Sequence, residues 1–187
     1  NPAITARVFM LVAFGSMAKA AFPQNVDAVS SATPLMQIEQ GTTPALIDLF
    51  LGKCGGAIGE VSAAALLVGF VYLLIRRVIT WHIPVVYIGS VFLLSLAIEG
   101  SATTALALIL SGGLFIGAIF MATDYVTSPP TPWGKVIFAL GAGLLTFLIR
   151  YFGVYPEGVS FAILFMNILT PYVEKLGAFK VFGGQKK

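Results

Sequence analysis

Long apolar runs separated by short polar stretches dominate this chain from end to end. A helix needs about 20 apolar residues to cross a bilayer, and fewer suffice where it is broken. The runs predict helices, because hydrocarbon cannot satisfy the hydrogen bonds of an open sheet edge. The pattern therefore predicts an all-α, polytopic membrane helical bundle with about six segments: Ala3–Phe22, Ile58–Ile75, Ile83–Ile98, Ala102–Ala122, Val136–Ile149 and Val159–Val173.

Glycine and proline punctuate these runs, and several segments are short for a full span. The prolines concerned are Pro84, Pro129, Pro130, Pro132, Pro156 and Pro171. Two interpretations stay open at this point. The segments are broken or half-helices of the kind found in transporters, or they are ordinary helices shortened at their ends by loops.

The composition excludes an ordinary soluble domain. Hydrophobic residues make up 58% of the chain, charged residues only 10%, and the mean hydropathy is +0.94, whereas a soluble domain is about 25% charged. The net charge of +3 is scattered, so nothing indicates nucleic-acid binding. The single cysteine, Cys54, excludes an internal disulfide and a cysteine-rich metal or iron–sulfur site within this chain. The only histidine, His82, is better interpreted as an interfacial side chain than as a metal ligand, so no metal site is predicted.

The lysines and arginines predict an orientation. If the six segments alternate in direction, three basic residues fall on one side: Lys19, Lys53 and Arg150. Eight fall on the other side, which is therefore predicted to be cytoplasmic: Arg7, Arg76, Arg77, Lys135, Lys175, Lys180, Lys186 and Lys187. The predicted organisation is a first membrane segment (1–22), an outer-face segment (23–54), a transmembrane bundle (55–174) and a basic cytoplasmic tail (175–187).

The outer-face segment contains the most informative polar stretch. It lacks a His, Lys or Cys before position 43 that could complete a hydrolase triad, and Ser31 or Thr33 could simply cap a helix that starts at Pro34. The stretch Asp27-x-x-Ser30-Ser31-Ala32-Thr33 also resembles the motif recognised by flavin transferases, which often has glycine where Ser31 stands. These enzymes couple the FMN portion of FAD to a threonine hydroxyl through a phosphoester.

A second and longer resemblance covers most of the chain. Its motifs are Gly112–Asp124, Thr127-Ser128-Pro129, Thr131–Lys135, Leu148-Ile149-Arg150, Tyr155–Val159, Phe161–Leu164 and Met166-Asn167, with Asn1-Pro2-Ala3 at the start. Together they resemble the C-terminal part of the RnfD protein of the Rnf electron-transport complex. That protein is a relative of NqrB, a membrane component of the sodium-pumping NADH:quinone reductase.

The resemblance implies a ten-helix fold of two inverted repeats, of which about six segments are present here. It implies FMN esterified to Thr33 on the outer face of a prokaryotic cytoplasmic membrane, and a noncovalent riboflavin near Asn1. The implied partners are the other subunits of a membrane redox complex, a flavin transferase for maturation, and lipid. The implied activity is that of a redox subunit, not catalytic alone, in a translocase that couples electron transfer between ferredoxin and NAD to Na⁺ or H⁺ movement.

Two acidic residues near membrane segments are candidates for an ion or electron path, Glu99 and Asp124, since ionisable groups there are functional candidates by default. Both lie near predicted interfaces, where capping or ordinary solvation is an equally simple role. Arg150 and Glu157 are interpreted as a salt bridge or as a contact to the flavin phosphate. Two functions from other classes also remain open: a solute channel or transporter without flavin, and a structural scaffold subunit.

Overall fold

The computed structural model describes residues 1–14, 33–56, 59–153 and 158–177. Within these ranges every regular element is helical, which confirms the all-α prediction. The α-helices are α1 (Pro2–Ala13), α2 (Pro34–Glu39), α3 (Leu46–Leu51), α4 (Ala63–Ile75), α5 (His82–Glu99), α6 (Ala102–Leu110), α7 (Leu114–Ile116), α8 (Pro132–Phe152) and α9 (Val159–Gly177). The helix α7 runs directly into a π-helical turn, Gly117–Met121.

The described helices are those of a polytopic membrane protein. Helices α5 and α8 are each long and apolar enough to cross a bilayer, and α6 with Leu114–Met121 forms a third candidate span that is bent by 65°. The helices α1 and α4 are apolar but shorter. Each of the six predicted segments overlaps a helix, although fewer of the described helices are full-length spans.

The centre of the bundle is the packing of α5 against α8, with α9 against the other side of α8. Close approach of α5 and α8 depends on Gly143, because a Cβ there would overlap Ser90 Oγ. The hydroxyls of Tyr87 and Thr146, both fully buried, lie 2.6 Å apart in the same interface. This polar pair is satisfied internally, as an apolar surrounding requires.

Local sequence signals set several helix ends. Thr131 caps α8 by accepting a hydrogen bond from Gly134 N at 3.1 Å, and Pro132 occupies the first turn. Gly100 ends α5 with φ of +64°, a conformation that glycine adopts without steric cost. The polar breaks visible in the sequence are therefore true helix boundaries.

Two loops meet at one end of the bundle, as the alternating topology predicts. The Tyr125 hydroxyl donates a hydrogen bond to the Val78 carbonyl, and Lys135 Nζ donates to Thr80 Oγ1 at 3.1 Å. These contacts join the loop before α5 to the loop before α8. The basic residues of these loops consequently lie at the same end of the molecule.

Candidate functional site

The bent span 102–121 is broken at Ser111–Gly113, between α6 and α7. Gly112 has φ of +68°, so the chain turns there through a region that other residues rarely adopt. Irregular backbone at membrane depth occurs where protein buries it or where it lines a water-filled cavity. Of the two interpretations left open by the sequence, the broken helix is therefore correct at this position.

Arg150 of α8 caps the broken end of α6. Its Nη1 donates to the Leu108 carbonyl at 2.8 Å and its Nη2 donates to the Ser111 carbonyl at 3.2 Å. The last carbonyls of a helix lack partners within the helix, so a planar guanidinium is a suitable donor for two of them. This backbone capping role was not among the interpretations that the sequence suggested, and Glu157 lies outside the described residues.

A second arginine approaches the break from α1. Arg7 Nη2 lies 2.7 Å from Glu60 Oε2, and the two side chains are 21% and 6% exposed, respectively. Glu60 belongs to the turn before α4, so this ion pair joins residues 53 positions apart. A charge-assisted contact of this length is strong, but it also removes two charges from water.

The glycines of the break bring these groups together. A Cβ on Gly113 would lie 2.7 Å from Arg7 Nη2 and 3.0 Å from Glu60 Oε2. A Cβ on Gly112 would lie 2.7 Å from Leu35 Cδ1 and 3.4 Å from Arg150 Nη2. The absence of side chains at these two positions lets charged groups from α1, α8 and the turn before α4 approach one short stretch of backbone. We refer to Arg7, Glu60, Gly112, Gly113 and Arg150 as the break cluster.

Thr33 lies at the start of a helix that contacts this cluster. It occupies the N-cap position of α2 with φ of −60° and ψ of 152°, Pro34 follows in the first turn, and its side chain makes no capping hydrogen bond. Two residues later, the buried Leu35 contacts Gly112. The helix start expected at Pro34 is confirmed, and the helix that follows Thr33 is anchored on the break. The remaining motif residues, Asp27, Ser30, Ser31 and Ala32, lie outside the described residues.

The other candidate residues lie in different places. The Asn1 side chain caps α1 by accepting from Ile4 N at 3.2 Å and donates to the Met121 carbonyl at 2.8 Å, at the end of the π-helical turn. Glu99 Oε1 accepts a hydrogen bond from the Tyr151 hydroxyl at 2.7 Å in an exposed position.

Asp124 forms a local turn, with Oδ2 accepting from Thr127 N at 3.2 Å and from Thr127 Oγ1 at 2.9 Å. The Thr127 carbonyl in turn accepts from Thr170 Oγ1 at 2.9 Å, which attaches the turn to α9. Neither Asp124 nor Glu99 takes part in the contacts of the break cluster described above.

Sequence reasoning missed Arg7 and Glu60 as a pair. Charge counting assigns Arg7 to the cytoplasmic side, and Glu60 reads only as the polar start of a segment. The available signal was that Arg7 interrupts one apolar run while Glu60 opens the next one. An unpaired charge in such a run is costly, so two charges of opposite sign are candidates to form an ion pair with each other.

A protein-family comparison decides the classification. The model described as "NQR2, RnfD, RnfE family" matches residues 1–183 of the chain. The chain belongs to the NQR2, RnfD, RnfE family. This agrees with the resemblance drawn from the motifs. The broken helix and the break cluster are therefore features of a member of this family.

Named relatives within the NQR2, RnfD, RnfE family are similar over most of this chain, and each is the D component of an oxidoreductase complex. The chain is 42% identical, over 100% of its length, to that of the Na(+)-translocating ferredoxin:NAD(+) oxidoreductase complex of Acetobacterium woodii. It is 44% identical, over 86% of its length, to that of the proton-translocating ferredoxin:NAD(+) oxidoreductase complex of Clostridium ljungdahlii. It is 35% identical, over 98% of its length, to the D component of the ion-translocating oxidoreductase complex of Stutzerimonas stutzeri. The chain spans 59%, 53% and 63% of these relatives, respectively.

Proposed function

We propose that this chain is the membrane-embedded, electron-carrying part of an RnfD-type component in an ion-translocating oxidoreductase complex. In this proposal it carries FMN on Thr33 and takes part in coupling electron transfer to the movement of Na⁺ or H⁺. The relatives whose names include ferredoxin, NAD and either ion support this assignment. The chain is a redox subunit that works with the other subunits, in the cytoplasmic membrane of a prokaryote.

The observation that carries the proposal is the state of Thr33. A modified threonine needs a hydroxyl that is not engaged in holding the backbone, and the Thr33 side chain makes no capping bond although it occupies the N-cap position. It is only half-buried, whereas Leu35 two residues later is buried against Gly112. The attachment point is therefore accessible on an anchored helix, which fits a tethered cofactor whose position must be fixed.

The modification itself is a group transfer from FAD. The Thr33 oxygen attacks the phosphorus of the FMN portion, the bond between the two phosphates breaks, AMP leaves, and the hydroxyl proton is lost to the medium. A flavin transferase that recognises Asp27, Ser30, Ser31, Ala32 and Thr33 performs this step in our proposal. The bound flavin supplies one-electron chemistry, and the protein supplies position and electrostatic surroundings.

The helix that follows Thr33 contacts a positively charged region, which suits an anionic group attached at its start. The break cluster contains two arginines and one glutamate, so its formal charge is positive, and Arg150 lies beside the glycine that Leu35 contacts. In the low dielectric of a membrane protein such a positive charge stabilises a nearby phosphoester more than it would in water. Thr33 is proposed as the attachment residue, and Arg150 as a cation that supports it.

Three further assignments belong to the same proposal. Riboflavin is proposed to bind near Asn1, whose amide retains hydrogen-bonding capacity beyond its contacts to Ile4 and Met121. Glu99 and Asp124 are proposed as residues of an ion or electron path. The segment that carries Thr33 is proposed to lie on the outer face of the membrane.

The test is flavin fluorescence on a denaturing gel together with the intact mass of the chain. The chain is produced with its partner subunits and an active flavin transferase, as the wild type and as Thr33→Ala. We expect a fluorescent band and one added FMN moiety in the wild type, and loss of both in Thr33→Ala. A matched control is Thr43→Ala, which removes an exposed threonine hydroxyl from the same segment and should keep both signals.

Two results would contradict this assignment. A fluorescent band that persists in Thr33→Ala places the flavin on another residue. A wild-type chain without fluorescence, despite an active transferase, favours the solute channel or the structural scaffold subunit.

A further inference from the structure

We propose that Glu60 is a binding site for the translocated monovalent cation, and that Arg7 is a tethered counter-cation which occupies the Glu60 carboxylate when no ion is bound. This inference rests on the ion translocation in the proposed function and names the residues that would carry it. The ligand class is a small monovalent cation, Na⁺ or H⁺.

The first argument is the cost of the pair. Glu60 has only 6% of its side chain exposed, and its partner Arg7 lies within an apolar helix of a membrane protein. Burying two charges costs desolvation energy that a well-packed apolar pair would avoid, so a buried pair is weak evidence for a purely stabilising role. Ionisable residues inside membrane proteins are candidates for ion pathways by default.

The second argument is the position of the pair beside Gly113. The carboxylate and the guanidinium lie against the point where the span 102–121 is interrupted. Broken helices in transporters are where coupling ions are coordinated, because the irregular backbone lines a cavity rather than lipid. The neighbouring carbonyls of Leu108 and Ser111 are bonded by Arg150, whereas the Glu60 carboxylate supplies the negative charge within the break cluster.

The third argument is that the pair bridges elements that otherwise pack elsewhere. Helix α1 packs mainly against α9, whereas α4 packs against α3 and α7. Glu60 precedes α4 in a turn that follows Gly59, whose φ is +89°. The contact between Arg7 and Glu60 can therefore open through movement of a long side chain and a turn, without unpacking the α5–α8 centre.

The exchange is a competition for one carboxylate. When a Na⁺ ion or a proton binds Glu60, the negative charge is neutralised and the guanidinium of Arg7 is released from its partner. When the cation leaves, Arg7 returns and again balances the buried negative charge of the carboxylate. Among the other charged or titratable groups, Cys54 lies close enough for the Glu60 charge to raise its pKa, Asp48 acts on the same thiol, and Arg150 lies across Gly112–Gly113.

The experiment uses the intact complex reconstituted in liposomes, with each variant present in the full-length subunit. Uptake of ²²Na⁺ and a pH-sensitive dye in Na⁺-free medium distinguish the two cations, and gel fluorescence reports the flavin on Thr33. For Glu60→Gln we expect a loss of cation transport of about tenfold or more, while the flavin signal and the assembly of the complex are unchanged. Glu174→Gln, an exposed glutamate of α9, is the matched control and should transport normally.

Arg7→Gln is expected to raise the affinity of the site for the cation. Without its tethered competitor, the Glu60 carboxylate should bind the cation about tenfold more tightly, so that the half-saturating concentration falls and turnover slows. The double variant Arg7→Gln with Glu60→Gln should resemble Glu60→Gln. If the pair were merely structural, the double variant should instead transport normally, since removing both charges together restores a neutral core.

If Glu60→Gln prevents assembly, Glu60→Asp keeps the charge on a shorter side chain and should raise the half-saturating cation concentration several-fold. Unchanged cation affinity in both Glu60→Asp and Arg7→Gln would overturn the inference. Normal transport by Glu60→Gln, or rescue by the double variant, would also overturn it while leaving a fluorescent Thr33 intact. Absence of flavin in the wild type would instead refute the proposed function, and it would do so independently of the transport result.

Discussion

The hydroxyl groups of Tyr87 and Thr146 lie 2.6 Å apart in the buried interface between α5 and α8, where each satisfies the other. This hydrogen bond lies in the same interface as the close approach at Gly143 and Ser90. Polar groups that are paired in an apolar core are costly to separate, because the remaining partner cannot turn to water.

Removing one hydroxyl should destabilise the bundle more than removing both. We expect Tyr87→Phe and Thr146→Val each to lower the free energy of unfolding by about 1–3 kcal/mol, because each leaves a buried hydroxyl unsatisfied. The combined variant should recover part of that loss. Thermal unfolding in detergent measures the effect, with Tyr72→Phe, an exposed tyrosine, as the control. Strict additivity of the two single losses would show that the hydroxyls do not interact.

Arg150 should be required to hold the broken end of α6. Arg150→Gln removes the charged donor to the Leu108 and Ser111 carbonyls and should cost about 2 kcal/mol of unfolding free energy. Arg150→Lys should rescue little, because a lysine cannot reproduce the planar fork. Arg76→Gln, at an exposed arginine, is the matched control. Equal stability of the lysine variant and the wild type would indicate that charge alone, and not the two directed bonds, is sufficient.

The effect of crowding at Gly112 on stability can be separated from the effect of backbone strain. Gly112 and Gly100 both have positive φ, of +68° and +64°, so alanine at either position should cost about 1–2 kcal/mol of strain. Only at Gly112 would the new Cβ meet Leu35, whereas nothing lies within 4 Å of a Cβ at Gly100. We expect Gly112→Ala to be the more destabilising change.

The difference between the two glycine variants should shrink in a Leu35→Ala background. Unfolding midpoints for the four combinations provide the measurement. A difference that persists without the Leu35 side chain would contradict the contact between α2 and the break. The level of flavin attached to Thr33 in the same variants would report whether anchoring of α2 assists the modification.

Cys54 should react slowly with alkylating reagents. Burial raises the pKa of its thiol, and the negative charges of Asp48 and Glu60 raise it further, so less of the reactive thiolate exists at neutral pH. The rate of iodoacetamide modification, followed by mass, should be lower in the folded protein than in the denatured chain. Because the chain contains one cysteine, the site of reaction is unambiguous.

The raised pKa of the Cys54 thiol also determines how its contribution to folding stability depends on pH. Folding holds the proton on the thiol at a pH where the unfolded thiol has begun to ionise, so this group contributes stability below the pKa of the unfolded thiol. That contribution is lost as the pH rises above the unfolded pKa toward the raised folded value. Asp48→Asn should accelerate alkylation, and an unchanged rate in this variant would show that its carboxylate does not influence the thiol.

The sequence predicted the elements of this fold better than it predicted their meeting points. Apolar runs located the helices, and Pro34, Gly100 and Pro132 marked helix ends, because helix caps and breaks are properties of local chain geometry. The same local logic predicted the start of α2 immediately after Thr33. Alternation of the segments also predicted that the loops before α5 and α8 would meet at one end.

The break cluster was not predictable in the same way. Arg7 and Glu60 are 53 residues apart, and nothing in the local pattern of either residue specifies the other. The interruption at Ser111–Gly113 contains no proline, so an apolar run continues through it without an obvious signal. The sequence suggests a salt bridge or a phosphate contact for Arg150, but it does not predict the contacts with backbone carbonyls, which become available only because α6 ends there.

The bend at Gly112–Gly113 divides a span into two halves of similar reach. The nine residues of α6 extend about 14 Å and the eight residues Leu114–Met121 about 12 Å. Because the two halves meet at 65°, they cannot both run parallel to the bilayer normal, and together they reach less depth than a straight helix of the same length.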